Sequence, residues 1–117
     1  MTAVDTGTWV RLCPIERLEV ERGAAALLPD GEQVALFVLH DGEVHAVQNR
    51  DPFTGAHVMS RGIVGTRNDR DVVASPMHKQ SFDLRTGRCL DDDDKVLTVY
   101  PVRVRAGTVE VQVAGSP

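Results

Sequence analysis

Alternation of apolar and polar positions governs most of this chain wherever a pattern is visible, and a period of two marks a half-buried strand. The run EQVALFVLH (residues 32–40) is apolar on both faces and rich in branched and aromatic side chains, which predicts a central strand covered on both sides. Asp41-Gly42 follows, a dipeptide suited to the two-residue hairpin turn, and EVHAVQN continues as the partner strand. His40 and His45 flank that turn and are expected to face solvent. PVRVRAGTVEVQV (residues 101–113) alternates on both sides of Ala106-Gly107, predicting a hairpin whose buried faces are shared by Val102, Val104, Val109, Val111 and Val113. WVRLC (9–13), DVVAS (71–75), SFDLR (81–85) and KVLTVY (95–100) supply further strands, and AHVMS reads as a strand start. PIERLEVERGAAALL is the best helix candidate, but Gly23 breaks it. It is read as one turn after Cys13, then a strand around Ala24–Leu28 ending at the Pro29-Asp30-Gly31 turn. Short strands with turn signals at roughly 8–12-residue spacing predict an all-β sandwich or barrel.

Composition narrows the function classes. At 117 residues the chain is expected to form one domain, with residues 1–8 and 114–117 as flexible tails and no internal repeat. A net charge of −4 gives no footprint for nucleic acid or an anionic membrane. No apolar run approaches the ~18 residues needed to span a bilayer, and MTAVDTGTWVRL has neither the basic start nor the apolar core of an export signal. Two cysteines, Cys13 and Cys89, are too few for a disulfide framework, so the expectation is a reduced cytoplasmic protein in which both thiols are small buried hydrophobes. The acidic run DDDDK (91–95) repels itself and is read as a solvated loop; a docking patch for a basic partner is the sharper alternative. Ser60, Ser75 and Ser81 lack a glycine-framed elbow, and no glycine loop cradles phosphate. No independent catalytic constellation emerges.

Chemistry concentrates in two loops, NRDPFTGAHVMSRG (49–62) and ASPMHKQSFDLRTGRC (74–89). The order of strand, N-R-x-P-x-x-G loop, strands, S-P-x-H-x-x-x-F-D-x-x-T-G loop and closing hairpin resembles a Rieske iron–sulfur domain over nearly the whole chain. The resemblance implies stacked antiparallel sheets with a small two-loop subdomain at about residues 49–85. In that family Cys-x-His and Cys-x-x-His hold a [2Fe–2S] cluster through two thiolates and two imidazoles. Carried onto this chain, the first Cys falls on Asp51, the first His on Phe53 and the second Cys on Ser75; only the second His is kept, as His78. Pro52, Gly55, Pro76, Phe82, Asp83, Thr86 and Gly87 still fit the framework. A cluster needs soft anionic sulfur. Asp51 is a hard ligand, Ser75 a poor one and Phe53 none, so no metal or cofactor is expected in this chain. Asp51, His57 and His78 do have the composition of a two-histidine, one-carboxylate site, if the fold brings them together.

The stretches VQNRDPFTGAHVMSRGIVG and VVASPMHKQSFDLRTGRCLDD further resemble a group of Rieske-like proteins without the cluster ligands, the small subunits of cytosolic NAD(P)H-dependent nitrite reductase. That likeness implies a non-catalytic accessory subunit of an enzyme reducing nitrite to ammonium. Its large-subunit partner would hold FAD, a [4Fe–4S] cluster and sirohaem and use NAD(P)H. Two other readings stay open: an electron carrier with unusual ligands, and a binding or regulatory module of another oxidoreductase. For the emptied tip, Arg50, Pro52, Phe53, Pro76, Met77 and Lys79, beside Gln80, are the candidate docking residues. In the competing reading Phe53 turns inward and fills the vacated volume. Exposed edge strands allow the isolated chain to self-associate.

Overall fold

The computed structural model describes residues 8–113. The tails expected at 1–8 and 114–117 lie outside them, except Thr8, which opens the first strand. Ten strands follow: β1 (Thr8–Pro14), β2 (Ala24–Leu27), β3 (Gln33–Val38), β4 (Val44–Gln48), β5 (Ile63–Arg67), β6 (Arg70–Ala74), β7 (Ser81–Asp83), β8 (Val99–Tyr100), β9 (Val102–Arg105) and β10 (Thr108–Val113). Two short 3-10 turns, Ile15–Arg17 and Met59–Arg61, complete the described residues. No helix there is long and apolar enough to cross a membrane.

The strands form three antiparallel sheets, ordered β1-β10-β9, β2-β3-β4-β8 and β5-β6-β7. β3 explains why the sheets stack. Its pleat sends Val34 and Leu36 to one side, where they pack with Leu28 just past β2, with Ala46 of their own sheet, and with Val109 and Val111 from the first sheet. Ala35 and Phe37, with Leu39 beyond the strand, face the other side and pack with Met59, Val73, Phe82, Leu84 and Leu97. One strand thus serves two cores, as its two-sided apolar sequence predicts.

Several local expectations need correction. Val104 is 46% exposed, because β9 is a sheet edge whose outer end runs past the core; Val102 and Val113 are only partly buried. The strand read in KVLTVY shortens to Val99–Tyr100, and that in SFDLR to Ser81–Asp83, because Leu84 and Arg85 enter a turn. AHVMS starts no strand: Met59 opens a 3-10 turn and is fully buried. β5 had no counterpart in the periodicity. Only Val64 of its side chains packs on the core, and an Asn68-Asp69 turn, both residues at positive φ, joins it to β6. His45 does not face solvent. It is buried, with Nε2 2.8 Å from Glu43 Oε1, while His40 is exposed.

Candidate functional site: a pair of clasped loop tips

The two loops singled out in the sequence share one backbone design. In the first, the Asp51 N–H donates to the Ala56 carbonyl (2.8 Å) and the Gly55 N–H to the Asp51 carbonyl (2.7 Å). In the second, the Ser75 N–H donates to the Gln80 carbonyl (2.9 Å) and the Lys79 N–H to the Ser75 carbonyl (2.9 Å). A third loop repeats the pattern: Asp83 N–H to Arg88 carbonyl (2.8 Å) and Gly87 N–H to Asp83 carbonyl (2.7 Å). The pairs Arg50–His57, Ala74–Ser81 and Phe82–Cys89 close the three loops in the same register. In each, the first side chain accepts from the N–H two residues on: Phe53 N–H to Asp51 Oδ1 (2.8 Å), Met77 N–H to Ser75 Oγ (3.2 Å), Arg85 N–H to Asp83 Oδ1 (2.7 Å). These short polar side chains mimic a backbone turn, which is why Asp and Ser suit the position.

Asp51 and Ser75 meet. Both are buried, and the Ser75 hydroxyl donates to Asp51 Oδ2 at 2.5 Å. The acceptor oxygens of the Asp51 carboxylate are therefore engaged from both loops, one by Phe53 N–H and one by Ser75 O–H. The third loop stands apart. Asp83 accepts instead from Arg70 Nη1 (2.8 Å) and from the Arg85 and Thr86 amides. Burial works to raise the Asp83 carboxyl, but the Arg70 guanidinium and those two amides together outweigh it and hold the group below its usual range.

Outside this buried pair, the tip divides by depth. Phe53 is partly buried against the core, with its ring 6.1 Å from that of Phe82 and Lys95 Nζ 5.7 Å from its centroid. Pro76, Met77, His78 and Lys79 are exposed, as is Arg50, while Pro52 is partly buried. His57 is exposed and sits in the bridge to Arg50. Among the described residues no group of three or more His, Cys, Asp or Glu side chains could hold a metal ion; Asp51, His57 and His78 are not brought together as one. Cys89 is buried in the core. Cys13 is partly buried, and burial pushes its thiol up against the smaller pull of Arg17, which disfavours the thiolate.

A family model described as a Rieske-like [2Fe-2S] domain matches residues 8–112. The nitrite reductase (NADH) small subunit of Escherichia coli (strain K12) is 39% identical over 105 residues, covering 89% of this chain and 96% of that protein. The chain belongs to the Rieske-like nitrite reductase small-subunit family. A crystal structure of an NADH-dependent nitrite reductase small subunit from Mycobacterium tuberculosis has a TM-score of 0.92 and 50% identity, covering 96% of this chain and all of that one. The nitrite reductase [NAD(P)H] large subunit of Klebsiella oxytoca carries a 34% identical stretch, spanning 93% of this chain but 11% of the large subunit.

The [2Fe–2S] group in the family's description does not fit the residues of this member. A hard carboxylate and a hydroxyl, already bonded to each other, stand where thiolates would be needed, and the Phe53 ring points at the core. His78 is a single exposed imidazole. The sequence singled out Asp51, Phe53, Ser75 and His78 but showed none of three features of the assembled site: the Asp51–Ser75 bond, the third loop, and the Arg70–Asp83 pair. For the third loop a signal was present, since Asp51–Gly55 and Asp83–Gly87 both read D-x-x-T-G. It is a five-residue motif shared by two loops and does not divide the chain into repeating units. Thr54 and Thr86 also act alike, each accepting an N–H from two residues on, at 3.2 Å.

Proposed function

We propose that this chain is the non-catalytic accessory small subunit of an NAD(P)H-dependent nitrite reductase, and that it acts by docking its two-loop tip against the large subunit. The observation that carries this reading is the Asp51–Ser75 contact at the positions where a redox-active relative would need sulfur. The tip is built for contact and lacks the donors for electron transfer. Its exposed surface supports the same reading: Met77 is 49% exposed between Pro76 and Lys79, with Arg50 exposed on the other loop. Methionine and arginine on rigid loops are enriched in protein interfaces. Partnership with a large subunit is supported by the Klebsiella oxytoca protein, where a stretch like this chain lies within the large-subunit polypeptide itself. In this reading FAD, [4Fe–4S], sirohaem and the NAD(P)H site belong to the partner, and nitrite is reduced to ammonium there. Free Cys13 and Cys89 accord with a cytoplasmic location.

The test is nitrite-dependent NAD(P)H oxidation by the large subunit from the same genome, with and without this chain, together with co-purification of the two. Added chain should bind the large subunit and raise the rate. No binding and an unchanged rate would refute the assignment.

A further inference from the structure

The three loops share a backbone design, yet only the first two are joined through their leading side chains. That contrast needs a cause beyond folding each loop, because the third satisfies its Asp83 with Arg70 and its own amides. Asp51 and Ser75 lie 24 positions apart in sequence, on loops that leave different sheets. β4 leads into the first loop and belongs to the second sheet; β6 and β7 flank the second loop and belong to the third. Their hydrogen bond is a direct polar tie between the two tips, placed in a buried position where a bond to a charged acceptor is strong.

The bond also lies in a continuous run. The Met77 N–H donates to Ser75 Oγ, the Ser75 O–H donates to Asp51 Oδ2, and Asp51 Oδ1 accepts from the Phe53 N–H. The exposed residue of one tip is thereby coupled to the core-anchored residue of the other. Phe53 is held against Phe82 and cannot move without disturbing the core. Met77 has no such anchor: it is 49% exposed, and Lys79, two residues on, holds a left-handed backbone at φ 65°. The second loop is closed at its base by its own backbone bonds, and the run through Ser75 ties its tip to the first.

We propose that Asp51 and Ser75 form a clasp that does mechanically what a bridging metal group would do in this fold, holding the second loop in register with the first so that Met77 and Lys79 present one rigid docking surface. They are positioning residues that act through the tip. The functional half of the claim rests on the docking reading above; the mechanical half does not. Ser75→Ala removes the donor and, with it, the acceptor of the Met77 N–H, so the Lys79 amide, bonded to the Ser75 carbonyl, is the readout of the clasp in that variant. Ser75→Thr keeps the hydroxyl. Asp51→Asn keeps the acceptor for Phe53 but leaves the Ser75 proton without its carboxylate.

The experiment measures amide hydrogen exchange at Phe53, Gly55, Met77 and Lys79, and affinity for the large subunit, at a temperature where every variant is folded by circular dichroism. Ser75→Ala should speed exchange at the Lys79 amide about tenfold and weaken association by a similar factor. Asp51→Asn should fall between Ser75→Ala and wild type, and Ser75→Thr should restore both readouts. Unchanged exchange at Lys79 in Ser75→Ala would overturn the clasp. Faster exchange with unchanged affinity would show that the tip is not the docking surface and would overturn the functional half. If wild type itself fails to bind, the docking reading falls, and exchange alone still decides whether the clasp exists.

Discussion

Phe53 occupies a position where its family resemblance calls for an imidazole, and its ring lies between the core and Lys95. Phe53→Ala should lower stability by about 2 kcal/mol in urea unfolding, less than for a fully buried ring because some of its surface is exposed. Phe53→Asp should cost more, since it adds an unpaired charge beside Phe82. An unaltered midpoint for Phe53→Asp would show that the ring fills nothing. The sequence could not choose between a ring turned inward and one presented to a partner, because both place an aromatic residue after Pro52; depth is a tertiary property. Asp83 gives the pH-dependent case. Its carboxyl is held below the usual range when folded, so its stabilising contribution is fully present above the unfolded value near 3.9 and is lost as pH falls through the folded value. Asp91, lowered by the Ser81 amide and then by Arg67, adds to the same window. Asp83→Asn should therefore destabilise the protein at pH 7 and flatten the loss of stability below about pH 4, measured by thermal unfolding across pH.

Equivalent places in the three loops allow a comparison at the level of the element. The fifth residue of each has a left-handed backbone: Gly55 at φ 79°, Lys79 at 65° and Gly87 at 80°. Only the second loop puts a side chain there, at a cost of roughly 1 kcal/mol that glycine avoids, offset in part by glycine's greater freedom when unfolded. Lys79→Gly should thus stabilise by about 0.5 kcal/mol. Gly55→Ala should destabilise by about 1 kcal/mol, because a Cβ there meets nothing nearer than the Arg50 guanidinium at 3.4 Å. Gly87→Ala should cost at least about 2 kcal/mol, since its Cβ would lie 2.0 Å from the Leu97 carbonyl oxygen. Thermal melts of the three variants must fall in that order; equal shifts would refute the geometry. The hairpins on either side of Asp41-Gly42 and Ala106-Gly107 were legible in the sequence because alternation and turn chemistry agree there. The loops were legible as loops, but their internal geometry was not, because hydrogen bonds to side chains shape it and no apolar period records such bonds. β5 escaped for a related reason: IVGTR shows no apolar alternation, because most of it is exposed, Ile63 at 74%.

Charge is distributed unevenly over the whole molecule. The chain carries −4, yet in residues 49–62 and 74–80 the one carboxylate, Asp51, is buried, while Arg50, Arg61 and Lys79 are exposed. Every exposed full charge on the two tips is positive. The acidic run starts at the base of the second loop, where Asp91 accepts from the Ser81 N–H and is paired with Arg67; Asp93 lines a hollow with Asn68, Arg70 and Arg88, and Lys95 lies over the Phe53 ring. For the docking proposed above, exposed charges of this sign favour a negatively charged partner surface. Rim charges of that kind act mainly on the association rate and are screened by salt. Arg50→Glu combined with Lys79→Glu should leave the unfolding midpoint within about 0.5 kcal/mol of wild type, because neither residue forms an ion pair among the described residues. The same pair of changes should slow association with the large subunit roughly tenfold at low ionic strength and abolish its salt dependence. Charge reversal at Arg11 and Arg105, exposed on the first sheet far from the loops in the topology, is the control and should leave association unchanged. If the control slows association and the tip variant does not, the partner binds the sheet end of the molecule, and the loops are a folding device alone.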